Sequence, residues 1–326
     1  MDNADAPRLA VSTVVPVYRS AEILPQLVDR IAAALTGSGA AGNFEIVLVC
    51  DASPDRSWDV IESLARDHSY VRGICLRRNA GQHNATMAGL HYAAGERIVI
   101  IDDDLQHPPE AIPQMLAELD RGFDVCYTRY LHRQHALWKK IGSWVNDASA
   151  SLLLAKPRGL YLSSFKAIRR EIAVEVIKYD GPYAYVDGLI LDVTGSITAI
   201  DIEHRQRAAG RGNYDLRRSI SLWLKLATSF SVFPLRTISF LGALIGLLSL
   251  ALIGYVVVTK LRDPTIAAGW TSLIATILFV GGVQLVGLGL LGEYLGRVYL
   301  KLNRKPQFVV RGVTPRASDD EQPPRV

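Results

Sequence analysis

The chain has 326 residues, and its 36 Lys and Arg against 32 Asp and Glu give a formal net charge of +4. A hydrophobic content of 49% and the absence of a repeat exclude a disordered chain, a solenoid and a fibrous protein. A positive mean hydropathy in so charged a chain indicates a soluble part joined to a membrane part.

The first third of the chain has the pattern of a cytosolic protein. The N-terminal tail, residues 1–9, is polar and acidic, unlike a secretory signal peptide. Cys50, Cys75 and Cys126 are scattered among apolar runs, which predicts buried thiols rather than disulfides or a metal site.

Residues 10–214 are predicted to form one α/β domain. Short β-branched runs alternate with helical patterns, which predicts a mainly parallel sheet with helices on both faces. The strands are predicted at 11–18, 45–50, 71–76, 97–102 and 124–128, and the helices at 23–35, 58–67, 84–94 and 110–121. Ligands of such sheets bind beyond the carboxyl ends of the strands.

The string DDDLQHPPE follows the fourth predicted strand. In an extended strand end, Asp102 and Asp104 point to one side and Asp103 points away. Two convergent carboxylates favour a hard cation, Mg²⁺ or Mn²⁺, that keeps positions open for phosphate oxygens. The alternative is an acidic helix N-terminus.

Two other loops carry polar candidates at strand ends. In CDASPDRSW we assign Asp51 to a ligand and Asp55 to capping the helix that starts near Ser57. In RRNAGQHNATMAGL, Gly81 precedes a helix whose N-terminus could face a diphosphate, with Arg77, Arg78 and Asn79 as candidate contacts. A simple loop is the alternative there.

The C-terminal third has a membrane pattern. Residues 215–235 alternate an apolar face with basic residues, which predicts an interfacial amphipathic helix or a helix packed on protein. Within 236–302, two long uncharged runs predict transmembrane helices at about 237–259 and 267–292, joined as a hairpin; a pair of buried core helices is the alternative. The basic flanks place both termini in the cytosol, including a C-terminal tail, 303–326, with a disordered end.

Together these motifs resemble the family 2 glycosyltransferases with the GT-A fold. The strings VVPVY, VCDASPDRSW, RRNAGQHNATMAGL, DDDLQHPPE, FSVFPLR and GLGLLGEYLGRVY carry the resemblance over residues 10–310. It is closer to the polyprenyl-phosphate glycosyltransferases, the group of dolichol-phosphate mannose synthase and the bactoprenol glycosyltransferases. Closest is the type that transfers aminoarabinose to undecaprenyl phosphate.

The resemblance implies a GT-A nucleotide-diphospho-sugar transferase fold followed by a two-helix transmembrane hairpin. It implies a metal on Asp102 and Asp104, which act as catalytic residues with Arg207. Glu22 is a possible substitute where VPVYRS replaces the usual VPVYNE. With the loop candidates above, the nucleotide-sugar site then comprises Pro16, Tyr18, Glu22, Asp51, Arg78, Asn79, Gly81, Asp102 and Asp103.

The family's basic motif R-x-x-G-x-S-K-Y reads RAAGRGNY here, so Arg207, Gly210 and Tyr214 match, and Gly212 and Asn213 replace Ser and Lys. The predicted acceptor-phosphate contacts are Arg129, Arg133, Lys139, Arg205, Arg207, Arg211 and Tyr214. Apart from Arg207, each of these arginines could instead contact solvent or lipid headgroups. Many relatives carry an acidic residue where RGLYLSSFKAIRR has none, and we expect Asp187 to compensate.

The expected activity is inverting transfer of a sugar from a nucleotide-sugar, favoured as a UDP-sugar, to undecaprenyl phosphate. The expected location is the bacterial inner membrane, with the catalytic domain in the cytoplasm. We expect a homotetramer from the relatives, and no nucleic-acid partner. A processive polysaccharide synthase is the alternative enzyme, but the chain lacks Q-x-x-R-W. A catalytically inactive nucleotide-sugar-binding scaffold is the alternative from another class.

Overall fold

The architecture was obtained as a computed structural model. The structure describes residues 9–37, 42–130, 160–181, 184–202, 269–303 and 306–315, together with single positions between 240 and 262. The chain divides into two compact units, one formed by Met1–Asn213 with Arg304–Val326 and the other by Tyr214–Asn303. The predicted amphipathic helix, 215–235, lies outside the described residues.

The first unit is built on an eight-stranded mixed sheet with the order β7-β5-β6-β4-β1-β2-β3-β8. The pairs β1–β2, β1–β4, β2–β3 and β5–β7 are parallel, whereas β6 runs antiparallel to β4 and β5, and β8 antiparallel to β3. The strands are β1 Val11–Val17, β2 Phe44–Cys50, β3 Val71–Leu76, β4 Arg97–Ile100, β5 Val125–Tyr130, β6 Lys166–Arg169, β7 Ile197–Ile202 and β8 Val310–Val313.

Helices cover this sheet as the strand–helix alternation predicts. In this unit they are α1 Leu24–Leu35, α2 Ser57–Asp67, α3 Gln82–Tyr92, α4 Ile112–Asp120, α5 Arg170–Val176 and α6 Val186–Val193. Every residue of β1 and β2 is buried, as expected for central parallel strands with both faces covered. A Cβ on Gly89 of α3 would lie 2.3 Å from Val14 Cγ1, so this glycine lets α3 approach the sheet closely.

Two details of the sheet differ from the prediction. Strand β4 ends at Ile100, so the expectation that it extends to Asp102 is wrong, and Asp103 and Asp104 lie in a turn. The strict alternation of an extended chain therefore does not set the directions of these side chains. Strands β6, β7 and β8 were not expected. β6 and β8 have only four residues each, and all three pair with strands distant in sequence.

The second unit contains the long apolar helix α7, Trp270–Leu302. Its segment Phe279–Gly296 is long and apolar enough to cross a membrane. The helix begins near the predicted start at 267 and continues ten residues past the predicted end at 292. The described positions between 240 and 262 are helical, and the hairpin remains a prediction.

Candidate active site

The candidate site lies at the carboxyl ends of the parallel strands β1, β2 and β4. These strands are neighbours in the sheet, so the loops that follow them, beginning at Tyr18, Asp51 and Ile101, meet at one edge. This is the edge at which open α/β sheets bind ligands.

Asp103 joins the turn after β4 to the end of β1. Its Oδ2 accepts hydrogen bonds from the backbone N–H of Tyr18, at 2.9 Å, and from the hydroxyl of Ser20. Burial raises the pKa of the Asp103 carboxyl, the two hydrogen bonds oppose that rise, and the charges of Asp102 and Asp104 add to it. Asp103 thus attaches the turn after β4 to the residues that follow β1.

Asp102 is held by side chains from two other segments. Its Oδ1 accepts from Gln82 Nε2 at 2.5 Å, and its Oδ2 accepts from the Ser164 hydroxyl. His107 Nε2 lies 3.6 Å from that Oδ2 and 3.0 Å from Ser164 Oγ. Burial opposes ionisation, but the hydrogen bonds from His107 and Ser164 outweigh it and lower the pKa of Asp102. The carboxylate is therefore anionic at neutral pH.

Asp104 completes the acidic turn. Its Oδ1 accepts the backbone N–H of Gln106 at 3.1 Å. Among the residues that the structure describes, no three His, Cys, Asp or Glu side chains form a metal-binding group. The oxygen donors of Asp102 and Asp104 nevertheless suit a hard cation that takes its other ligands from phosphate and water. The residues present therefore fit a substrate-completed Mg²⁺ or Mn²⁺ site, and their ligand role remains a prediction.

Asp51 has a structural task at this edge. Its two carboxylate oxygens accept the backbone N–H groups of Ala80, at 2.6 Å, and Gly81, at 2.8 Å, and Asn79 Nδ2 donates to its carbonyl oxygen at 3.3 Å. The residue is 3% exposed. Gly81 has a φ of 88°, which favours glycine, and it precedes α3. Asp51 thus fixes the loop that presents the α3 N-terminus.

Asp55 binds the start of α2, as expected, although Arg56 and not Asp55 stands at the N-cap position. It accepts the backbone N–H and the hydroxyl of Ser57, the first residue of α2, and the hydroxyl of Ser53. Desolvation raises the pKa of this carboxyl, but the hydrogen bonds from Ser53 and Ser57 outweigh it and lower the pKa to about 2.

A second buried charged group lies beside the site. Lys166 of β6 forms an ion pair with Asp187 in the first turn of α6, and the Tyr127 hydroxyl donates to the same Asp187 oxygen at 3.0 Å. The His83 ring, next to Gln82, packs edge to face on Tyr185, with ring centroids 5.0 Å apart. Desolvation lowers the pKa of His83, and the negative charge of Asp187 partly offsets this decrease.

The remaining predicted nucleotide-sugar residues lie around β1 and β3. Pro16 is buried in β1 opposite Val49, whereas Tyr18 and Glu22 are exposed beyond that strand. Arg78 is exposed just beyond β3. The structure brings Tyr18, Asp51, Asn79, Gly81 and Asp103 into the hydrogen-bonded loops described above.

Only one of the predicted acceptor-phosphate residues is described. Arg129 is exposed at the end of β5, where Asp201 of β7 accepts from its Nε at 2.6 Å and from its Nη2 at 3.0 Å. A phosphate would have to compete with this carboxylate for the guanidinium. The others lie outside the described residues: Arg133, Lys139, Arg205, Arg207, Arg211 and Tyr214.

Sequence reasoning missed Ser164, which binds Asp102, and Lys166, which pairs with Asp187. Both lie in RGLYLSSFKAIRR, a segment without a carboxylate. A serine before a short β-branched run is not distinctive, and only the pairing of β6 with β4 brings it to the acidic turn. A lysine within an apolar stretch was the one available signal, since buried lysines need a partner.

Comparison with known proteins shows the family to which the chain belongs. Residues 12–177 match the family described as Glycosyl transferase family 2. The chain is 35% identical over 311 residues to an undecaprenyl-phosphate 4-deoxy-4-formamido-L-arabinose transferase of Salmonella paratyphi A, covering 94% of each chain. It is 35% identical over 306 residues to the protein so named in Yersinia pestis, covering 93% of each chain.

Two solved structures are more distant. Glucosyl-3-phosphoglycerate synthase from Mycobacterium tuberculosis, crystallised with Mn²⁺, UDP-glucose and phosphoglyceric acid, has a TM-score of 0.47 and 17% identity, covering 67% of this chain and 80% of its own. Mannosyl-3-phosphoglycerate synthase from Rubrobacter xylanophilus has a TM-score of 0.49 and 20% identity, covering 67% and 72%.

The mixed sheet and the acidic turn at its edge are those of a nucleotide-sugar transferase with the GT-A fold. The chain belongs to glycosyl transferase family 2, and it is a glycosyltransferase. Within that family it is similar over nearly its whole length to undecaprenyl-phosphate sugar transferases, as the resemblance of the sequence motifs predicted.

Proposed function

We propose that this glycosyltransferase moves a sugar from a UDP-sugar to undecaprenyl phosphate at the cytoplasmic face of the bacterial inner membrane. The observation that carries the proposal is the acidic turn at Asp102–Asp104, held at the edge of the sheet in a chain that matches undecaprenyl-phosphate transferases over 94% of its length.

The acceptor sets what the protein must do. A phosphate monoester is already anionic at neutral pH, so its attack on the anomeric carbon needs no general base. Rate acceleration then comes from positioning and from charge neutralisation. A divalent cation held by Asp102 and Asp104 would supply charge stabilisation to the departing nucleoside diphosphate.

Side chains around the acidic turn orient the groups that are proposed to bind the nucleotide-sugar donor. Gln82 and Ser164 hold the two oxygens of Asp102 in fixed directions, as second-layer hydrogen bonds do around metal ligands. Asp51 fixes the loop before α3 through the N–H groups of Ala80 and Gly81, and the N-terminus of that helix would suit a diphosphate.

The acceptor end is assigned to the basic residues near the membrane segment. Arg207 is the main proposed contact of the acceptor phosphate, and Arg205 and Arg211 are further candidates nearby in the sequence. Positive charge is needed there because the acceptor phosphate and the donor diphosphate repel each other. Inversion at the anomeric carbon follows from a single in-line displacement, with the acceptor oxygen opposite the leaving diphosphate.

The experiment that tests the proposal is sugar transfer by the purified chain in detergent. We expect label from a UDP-sugar to appear in undecaprenyl phosphate when Mg²⁺ or Mn²⁺ is present, and not when the metal is chelated. The donor panel should include UDP-glucose, UDP-N-acetylglucosamine and UDP-4-deoxy-4-formamido-L-arabinose. Failure with every donor in a broad panel, by protein shown to be folded, would refute the proposed reaction.

A further inference from the structure

Three residues next to the acidic turn form a buried charged group whose task the reaction above leaves open. Lys166, Asp187 and Tyr127 are 3%, 6% and 0% exposed, and they come from β6, α6 and β5. Asp187 Oδ1 accepts from both the Lys166 ammonium and the Tyr127 hydroxyl. The three side chains will be called the Lys166 triad.

Within the part of the chain that the structure describes, the Lys166 triad has unused hydrogen-bonding capacity. An ammonium group has three N–H donors, and among the described residues Asp187 is the one acceptor that the Lys166 ammonium reaches. Both donors that reach Asp187 in the described part of the chain bind Oδ1, which leaves Oδ2 available. Because buried polar groups are costly unless they are hydrogen-bonded, this combination is typical of a site completed by a ligand.

The triad lies beside the acidic turn that is proposed to hold the donor diphosphate. In the sheet, Lys166 pairs with Ile100, two residues before Asp102, and with Tyr127 on the other side. Ser164, two residues before Lys166, donates to Asp102. Gln82 donates to the other oxygen of Asp102. The adjacent His83 packs on Tyr185, which lies two residues before Asp187.

The charges of the triad indicate the kind of group that binds there. Lys166 and Asp187 together carry no net charge, so the pair does not attract a phosphate, and Asp187 would repel one. A hydroxyl group, by contrast, can donate to Asp187 Oδ2 and accept from the Lys166 ammonium at once. Neighbouring hydroxyl groups are the defining feature of a sugar ring.

On the basis of the proposed function, we propose that the Lys166 triad binds hydroxyl groups of the sugar being transferred and thereby determines donor-sugar specificity. A site built to hydrogen-bond a substrate hydroxyl discriminates strongly against analogues that lack it, because its own polar groups are then left unpaired. The triad therefore contributes to binding of the sugar and not to binding of the nucleotide.

The test compares the binding of UDP and of UDP-sugars in Mg²⁺ without acceptor, by titration calorimetry. The sugars are the three of the transfer panel, and the sugar contribution is the Kd for UDP divided by the Kd for the best-bound UDP-sugar. We expect Lys166→Met with Asp187→Asn to reduce this ratio by about tenfold or more. The Kd for UDP itself should stay within about twofold.

Two further variants make the test decisive. Lys178→Met with Glu175→Gln removes a matched but exposed ion pair, whose Nζ–Oε1 distance is 2.6 Å, and should leave the ratio unchanged. Replacing both charges of the Lys166 triad leaves no unpaired buried charge, so the fold should persist. If it does not, Tyr127→Phe keeps both charges and should still weaken UDP-sugar binding without weakening UDP binding.

The outcomes separate this inference from the proposed function. A triad variant that keeps the wild-type ratio, or that weakens UDP and UDP-sugar equally, overturns the inference. So does a wild-type protein that binds every UDP-sugar no more tightly than UDP. In each case, transfer to undecaprenyl phosphate by the wild-type protein would leave the proposed function standing, whereas absence of any transfer would remove that function instead.

Discussion

At the residue scale, three consecutive aspartates have three different sets of partners. Asp102 is bound by Gln82 and Ser164, Asp103 by the end of β1, and Asp104 by the backbone of its own turn. Mutual repulsion of adjacent carboxylates would otherwise favour their protonation. Separate hydrogen-bond donors allow Asp102 to remain charged where a cation is proposed to bind.

Asp55 gives a residue-scale prediction about stability. Asp55→Ala removes the acceptor for the first N–H of α2, and we expect the free energy of unfolding to fall by about 1 kcal/mol. Denaturant titration followed by circular dichroism measures this, with Asp67→Ala, at an exposed position, as a control that should change little.

The stability difference between wild type and Asp55→Ala should depend on pH in a defined direction. The pKa of Asp55 is about 2 in the folded protein and 3.8 as its ordinary value. Its stabilising contribution is therefore present above about pH 4 and is lost as the pH falls toward about 2. The difference between wild type and Asp55→Ala should shrink over that range, and a difference that stayed constant would contradict the assigned hydrogen bonds.

At the element scale, the segment that follows the long helix returns to the catalytic unit. Strand β8 extends the sheet along β3, and Thr314 exchanges two hydrogen bonds with Gly73. Gln307 Nε2 donates to the carbonyl oxygens of Tyr179 and Gly181, at 2.7 and 2.9 Å. This segment thus covers the edge of β3 that would otherwise be open to pairing with other chains.

Truncation tests the role of that strand. A chain that stops after Asn303 loses β8, and we expect a lower thermal unfolding midpoint and aggregation through the exposed β3 edge. A chain that stops after Pro315 keeps every contact described above and serves as the control. Equal stability and equal monodispersity of the two truncated chains on size-exclusion chromatography would show that β8 is dispensable.

How far the sequence predicted these elements depends on the range of the contacts involved. The long apolar runs of β1 and β2 were sufficient to predict both strands, and Asp55 was sufficient to predict the start of α2. β6 and β8 have four residues each and form by pairing with distant strands, which no local pattern records. The partners of Asp102 were missed for the same reason, because Ser164 lies 62 residues away in the chain.

At the scale of the whole molecule, the connectivity constrains the membrane topology. The residues before and after the second unit belong to one sheet-based unit, since β8 pairs with β3. If α7 crosses the bilayer, the chain must therefore cross an even number of times between 214 and 303 to return to the same side. That parity agrees with the proposed hairpin and puts the two flanks of the second unit on the same side of the membrane, whichever side that is.

Reporter fusions test this topology in cells. A reporter that is active only in the cytoplasm should be active when fused after Pro315. A reporter that is active only in the periplasm should be active when inserted between the two predicted spans, near residues 263–266. The basic flanks of the spans predict this orientation. Periplasmic activity of the fusion after Pro315 would contradict the proposed location.

The central claim is that the Asp102–Asp104 turn holds the metal that supports sugar transfer, and the Mn²⁺ dependence of transfer in Asp104→Asn tests it most directly. Asp120→Asn, an exposed aspartate paired with Arg97, is the matched control. We expect transfer by the control to saturate with Mn²⁺ as in wild type, and transfer by Asp104→Asn to fall by about a hundredfold or more. Full activity of Asp104→Asn at the same Mn²⁺ concentration would contradict the account.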